Sequence, residues 1–294
     1  MKRPVRIANC SGFFGDRLAA AQEMVEGGPI DVLTGDWLAE LTMLILARQK
    51  IRHGNGYART FLQQMETVLP ACLEKGIKVV SNAGGLDPEA CAQAIRDLGT
   101  GAKVAAVTGD DVLPRFGEFD WTNLDTGEAF PSHPLSANAY LGARGIASAL
   151  EAGADVVVTG RVTDAALVIG PAAWWHGWDF DGGDLDAMAG ALVAGHVIEC
   201  GAQASGGNYP FFREVPGLEH VGFPIAEVAA DGTSVITKQP DTGGLVSPGT
   251  VTAQLLYEVG DEHYLNPDVS ARFDTIEIDQ VGRDRVRLSG IRGE

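Results

Sequence analysis

Asp155-Val156-Val157-Val158-Thr159-Gly160-Arg161-Val162-Thr163-Asp164 decides how the chain is read. A short apolar strand runs into a small polar loop, and an apolar helical run follows. The same grammar occurs four times earlier. Val5-Arg6-Ile7-Ala8 leads into Asn9-Cys10-Ser11-Gly12, and Ile30-Asp31-Val32-Leu33 into Thr34-Gly35-Asp36. Ile77-Lys78-Val79-Val80 leads into Ser81-Asn82-Ala83-Gly84-Gly85, and Lys103-Val104-Ala105-Ala106-Val107 into Thr108-Gly109-Asp110-Asp111. Strands alternating with helical patterns imply right-handed crossovers and a parallel sheet. The expected fold is α/β: a doubly wound, mostly parallel, Rossmann-like sheet over residues 1–215. A smaller C-terminal α+β segment over residues 216–294 is expected to complete the cleft.

The helices carry their own signals. Asp87-Pro88-Glu89 sets a capping residue before a proline at the first helical position. Asp36 and Asp164 also precede apolar helical runs and read as caps. Helices are expected over 89–98, 138–150, 185–199 and 250–259, with Gly99 and Gly153 ending the first two. The apolar run 38–47 reads as a buried helix. Asp231-Gly232 and Gly282-Arg283-Asp284 mark two hairpins, between 225–228 and 234–237 and between 275–279 and 285–288. The pattern fails over 115–135, a long connection that reads as a lid or partner surface, or as a plain excursion. Trp174-Trp175-His176-Gly177-Trp178 reads as core or interface packing, with a substrate wall as the sharper alternative.

Charge and cysteine usage narrow the function. Lys and Arg number 22 against 39 Asp and Glu, a formal charge of −17. Such a surface repels phosphate backbones and anionic lipid, so nucleic acid and membrane are not expected partners. The run 38–47 contains Glu40 and Thr42 and is shorter than the roughly 20 residues of a membrane span. Cys10, Cys72, Cys91 and Cys200 form no C-x-x-C pair and read as reduced thiols of a cytoplasmic protein. No H-E-x-x-H, dinucleotide fingerprint or P-loop occurs, and neither a cofactor nor a metal is expected. A Mg²⁺ site at Asp110 and Asp111 has little signature to support it.

In an open α/β sheet, ligands bind beyond the carboxyl ends of the strands. Five strand ends here pair a small polar residue with glycine. Their loops are expected to form one rim of free amides suited to a carboxylate, a phosphate or a developing oxyanion. Ser11, Gly12, Asn82, Gly84, Gly85, Asp110 and Thr163 are the substrate-binding candidates from these loops. Gln203, Gly207 and Asn208 join them from the glycine-rich stretch after 185–199, and Lys238 as a second cation. Arg161 is expected to hold an anion bidentately. Asp164 is a general base or a cap. Glu199 is an acid or base if burial raises its pKa. Cys200 is a nucleophile only beside a base, and otherwise a structural thiol.

Further runs carry a family resemblance. These are Gly35-Asp36-Trp37-Leu38-Ala39-Glu40-Leu41-Thr42, Val79-Val80-Ser81-Asn82-Ala83-Gly84-Gly85-Leu86 and Ser136-Ala137-Asn138-Ala139-Tyr140-Leu141-Gly142-Ala143, with Gly160-Arg161-Val162-Thr163-Asp164-Ala165, Glu199-Cys200-Gly201-Ala202-Gln203 and Pro224-Ile225-Ala226-Glu227-Val228. Together they resemble the acyclic terpene utilization (AtuA-like) family over nearly the whole chain. Ser136 and Asn138 enter the substrate-binding set with this resemblance. It implies a place in bacterial breakdown of citronellol- and geraniol-type compounds, whose intermediates are branched acyl-CoA thioesters. Family members commonly continue into a small ferredoxin-like domain, expected here as a separate subunit or not at all. The resulting expectation is a catabolic lyase of hydratase or dehydratase type, acting as a homo-oligomer on a small anionic branched acyl compound. A hydrolase or lactonase and a non-catalytic subunit are the alternatives.

Overall fold

The computed structural model describes residues 2–130 and 133–294. Five strands open the chain: β1 (Val5–Asn9), β2 (Val32–Gly35), β3 (Lys78–Ser81), β4 (Val104–Val107) and β5 (Val156–Thr159). Between them lie α1 (Ala20–Glu26), α2 (Glu40–His53), α3 (Arg59–Lys75), α4 (Pro88–Arg96) and α5 (Arg144–Glu151). Helices α6 (Ala166–His176) and α7 (Leu185–Ile198) lead to strands β6 (Pro224–Val228) and β7 (Ser234–Lys238). The chain ends in α8 (Pro248–Leu255), β8 (His263–Tyr264), β9 (Ala271–Arg272), β10 (Glu277–Gly282), β11 (Arg285–Ser289) and β12 (Arg292–Gly293).

One sheet of nine strands runs in the order β10-β11-β7-β6-β1-β2-β3-β5-β4. The first five strands are mutually parallel, as their grammar predicts. Both faces of this part are covered, which is what continuous Val runs require. Ile7, Val32, Val80 and Val157 join α5, α6 and α7 in one core. Ala8, Leu33, Val79, Val156 and Val158 join α1, α3 and α4 in the other. The other four strands correct the expected mostly parallel sheet. β6 pairs antiparallel with β1, and β7, β11 and β10 continue antiparallel outward. Two of these four pairings have a local cause, since the tight turns at Asp231-Gly232 and Gly282-Arg283-Asp284 close hairpins and a hairpin cannot be parallel, whereas β1–β6 and β7–β11 join segments distant in sequence. The parallel order 1-2-3-5-4 also differs from the 3-2-1-4-5-6 order of dinucleotide-binding folds. The architecture is therefore mixed α/β, with residues beyond 216 contributing four strands to the same sheet.

Three helical expectations need revision. α2 is not buried all round: Thr42, Met43, Leu46 and Ala47 face inward, while Leu41, Leu44, Ile45 and Ile51 are exposed. Its apolar run covers two faces, of which the molecule buries one. The helix expected from residue 138 begins at Arg144. Residues before it form an extended strap, with Asn138 bridged to Asp111 and Leu141 to Val162. Asp36 and Asp164 cap nothing: α2 and α6 start after Ala39 and Ala165, without a side-chain cap.

In the irregular connection, Phe116 stacks on Trp121 at 5.4 Å, and Pro131 and Ser132 lie outside the described residues. The tryptophan cluster packs at the opposite edge from the strand carboxyl ends. There Trp175 and Trp178 donate to the carbonyls of Arg3 and Ala230. Among the described residues no helix is long and apolar enough to cross a membrane.

α7 crosses the β6–β7 hairpin at Gly190, where a Cβ would run into the Gly232 carbonyl. Gly190→Ala is expected to cost about 1–3 kcal/mol, the usual range for overpacking, because helix and hairpin must part. Urea unfolding of the variant measures it.

Candidate active site

The carboxyl ends of β1, β2 and β5 open into a cleft of about 590 Å³. The β1 loop supplies Gly12, Phe13 and Asp16. The β2 loop supplies Asp36 and Leu38, with Glu40 at the start of α2. Arg161 and Asp164 follow β5, and Tyr140 comes from the strap. The end of α7 brings Glu199, Cys200, Gln203 and Gly207, and the C-terminal segment brings Tyr257, Glu258 and Tyr264. Glu258 holds φ at +62°, a left-handed conformation costly for a non-glycine residue and found disproportionately at functional sites.

Arg161 is the centre of the arrangement. Its backbone N–H donates to Asp110 Oδ2 at 2.8 Å, and Asn138 Nδ2 donates to the same oxygen at 2.8 Å. Its Nη1 donates to Asp164 Oδ1 at 2.8 Å and to the Leu38 carbonyl at 3.3 Å. Its Nη2 donates to the Tyr140 hydroxyl at 3.1 Å, and the guanidinium lies 4.4 Å from that ring's centroid. Tyr140 in turn donates to Glu40 Oε1 at 2.7 Å. Asp36 is held from behind. Its N–H donates to the Ser11 carbonyl, and its Oδ1 accepts from Leu38 N and Asn82 Nδ2.

Burial sets the acidity of these groups. Desolvation pushes Asp36 up to about 7, against the hydrogen bonds from Asn82 and Leu38. It pushes Asp164 well above the usual carboxyl range, helped by Asp36 and opposed by Arg161. It pushes Glu199 up to about 7, although His196 works against it. His196 sits one turn before Glu199 on α7, its Nδ1 3.2 Å from Oε1 though not aligned as a hydrogen bond. Tyr264 and Phe273 cover the imidazole. Burial alone would lower His196, but Glu199 outweighs it and the histidine ends above its ordinary value. Burial, then Glu199, pushes the Cys200 thiol up, the opposite of what thiolate chemistry needs.

Of the residues read from sequence, Gly12, Arg161, Asp164, Glu199, Gln203 and Gly207 meet in the cleft. Ser11, Asn82, Asp110 and Asn138 stand behind it as supports. Thr163 opens into an adjoining hollow with Tyr140, Asp164 and Tyr264. Asn208 donates to Gln254 instead. Gly84 and Gly85 do allow close approach, but by the protein itself: the Thr159 carbonyl and Pro88 for one, Leu46 and the Gly56 carbonyl for the other. Ser136 lies beside Phe116 and Trp121. Lys238 is not a second cation in the cleft. It lies in a separate hollow with Arg6 and Arg285, donating to the Thr242 carbonyl at 2.8 Å with Asp284 3.7 Å away. β7 stands two strands from β1, which places Lys238 too far along the sheet. Asp110 holds Arg161 and Asn138 through Oδ2, Asp111 accepts from Leu113 N, and both line a hollow apart from the cleft.

Sequence reading missed His196, Glu40, Tyr140, Glu258 and Tyr264, and took Asp36 for a cap. His196-Val197-Ile198-Glu199 had a usable signal: a spacing of three on a helix puts both side chains on one face. Glu40 and Tyr140 stand in two of the runs that carry the family resemblance, while Glu258 and Tyr264 reach the cleft from a distant segment and had no such signal.

Fold and cleft together define a mixed α/β protein with several buried carboxyls gathered at the carboxyl ends of its parallel strands. A family model described as acyclic terpene utilisation family protein AtuA matches residues 5–294. The chain belongs to that family, which places it in acyclic terpene utilisation. No protein of curated function and no solved structure matches it.

Proposed function

We propose that the chain is a lyase of hydratase or dehydratase type that adds water to, or removes it from, a branched acyclic compound. The observation that carries this reading is the trio Asp36, Asp164 and Glu199 facing one cleft, with Asp36 and Glu199 titrating near 7. Moving water across a carbon–carbon bond takes one group to protonate the departing oxygen and another to take the neighbouring C–H proton. Such groups work best when they titrate near the operating pH. Arg161 keeps Asp164 oriented and Asn82 keeps Asp36 oriented. His196 supplies Glu199 with a neighbour that can share its proton. Membership of the terpene utilisation family supports a branched acyclic skeleton.

The test is to incubate the purified chain in ¹⁸O-water with branched alcohols, the matching alkenes and branched acyl thioesters and lactones. Label entering an alcohol carbon, with alkene formed in reverse, is the expected result. Label found only in a carboxylate product makes the protein a hydrolase or lactonase. No turnover by well-folded protein, restored only by a partner, makes it a non-catalytic subunit.

A further inference from the structure

We infer that the reacting group in this cleft is uncharged in the ground state and gains positive charge on the way to product, which makes the substrate head a branched alcohol or its alkene rather than a carboxylate or phosphate. This deepens the lyase reading and rests on it. Asp16, Asp36, Glu40, Asp164, Glu199 and Glu258 face the cleft, and Arg161 is the one cationic side chain among the described lining residues. Three of the five N–H donors of Arg161 go to Asp164, the Leu38 carbonyl and Tyr140, and Asp164 already sits against its charge. An anion would enter a region lined by six carboxyl groups against one guanidinium, and above pH 7, where Asp36 and Glu199 ionise, like charges at close range repel strongly.

The hydrogen-bonding inventory points the same way. Glu199 Oε2 and Gln203 Oε1 are buried acceptors without a partner, on residues that line the cleft. The Gln203 amide oxygen, and Glu199 once ionised above pH 7, call for a donor, which a hydroxyl or an ammonium supplies and a carboxylate or phosphate oxygen does not. Around them stand surfaces suited to a hydrocarbon. Phe13, Tyr257 and Tyr264 line the walls, and the exposed Leu256 and Leu265 flank the last two. Aromatic faces also attract a developing cation.

The chemistry balances without a co-reactant. A protonated carboxyl gives its proton to the substrate hydroxyl. The C–O bond breaks with its electron pair leaving on water, and the carbon becomes cationic among carboxylates. A second carboxylate removes a proton from the adjacent carbon, and the C–H pair becomes the new π bond. The alcohol becomes alkene and water, and solvent returns the proton between the two carboxyls.

The experiment is calorimetric binding at pH 8 of three probes that share an isohexyl tail: dimethyl isohexyl carbinol, dimethyl(isohexyl)ammonium and isohexyl carboxylate. The ammonium is expected to bind at least about tenfold tighter than the carbinol, and the carboxylate at least about tenfold weaker. Asp36→Asn and Asp164→Asn should each shrink the ammonium preference. Carboxylate binding as tight as carbinol binding overturns the inference, as does an ammonium preference that survives in both variants. If ¹⁸O enters an alcohol but no ammonium preference is found, the inference falls and the lyase reading stands. If the preference is found without any turnover, the lyase reading falls and the charge selectivity of the cleft stands.

Discussion

Glu199→Gln and Asp164→Asn are each expected to lower turnover by about 100-fold or more, the usual scale for removing a proton-transfer group. Both amides keep the shape of the side chain they replace. The glutamine would still pack beside His196 and the asparagine would still accept from Arg161, so the cleft should survive while its proton traffic does not. The loss should appear in kcat, with KM changed less, because the interaction removed is made in the transition state. Steady-state kinetics with circular dichroism on the same samples checks this. Wild-type turnover in both variants, with the fold intact, would remove the acid–base assignment. His196→Gln should act differently. It takes away the neighbour that holds Glu199 down, so the limb of the pH–rate profile belonging to Glu199 should move to higher pH.

The second large effect concerns stability. Asp36 and Glu199 are 4% and 6% exposed and titrate near 7 in the fold, against 3.8 and 4.5 ordinarily. Between about pH 4 and pH 7 the folded protein therefore holds protons that the unfolded chain releases. Stability is full below the unfolded values and falls as pH rises through the folded ones. Asp36 accounts for roughly 4 kcal/mol and Glu199 for roughly 3 kcal/mol between their unfolded and folded values, less where the two share charge. Tm is expected to fall by about 5–10 °C from pH 5 to pH 8. Asp36→Asn and Glu199→Gln should flatten the curve and raise Tm at pH 8, trading activity for stability. Carboxylates held below their usual range, such as Asp155 beside Lys78 and Asp186 at the Gly293 N–H and Arg292, act in the opposite sense. Theirs is stability present at neutral pH and lost only below about pH 4. Scanning calorimetry across pH 5–8 reads the sign directly, and a Tm that climbs with pH would show that these carboxyls are not desolvated.

What the sequence determined by itself was local. The repeated passage from apolar strand to small polar loop to helix specified five parallel strands, and with them the edge on which a site must lie. Asp231-Gly232 and Gly282-Arg283-Asp284 specified two hairpins, because the turn residues and their flanking strands sit within a few residues of one another. Tertiary structure decided what depends on distant neighbours. It set which side of α2 meets the core, placed Lys238 in another hollow, and raised the pKa of Asp36 by burying it, although its local signature is that of a helix cap. Acidity is fixed by desolvation and by charges brought close through space. Asp36, Asp164 and Glu199 acquire theirs only when β2, β5 and α7 converge on one cleft.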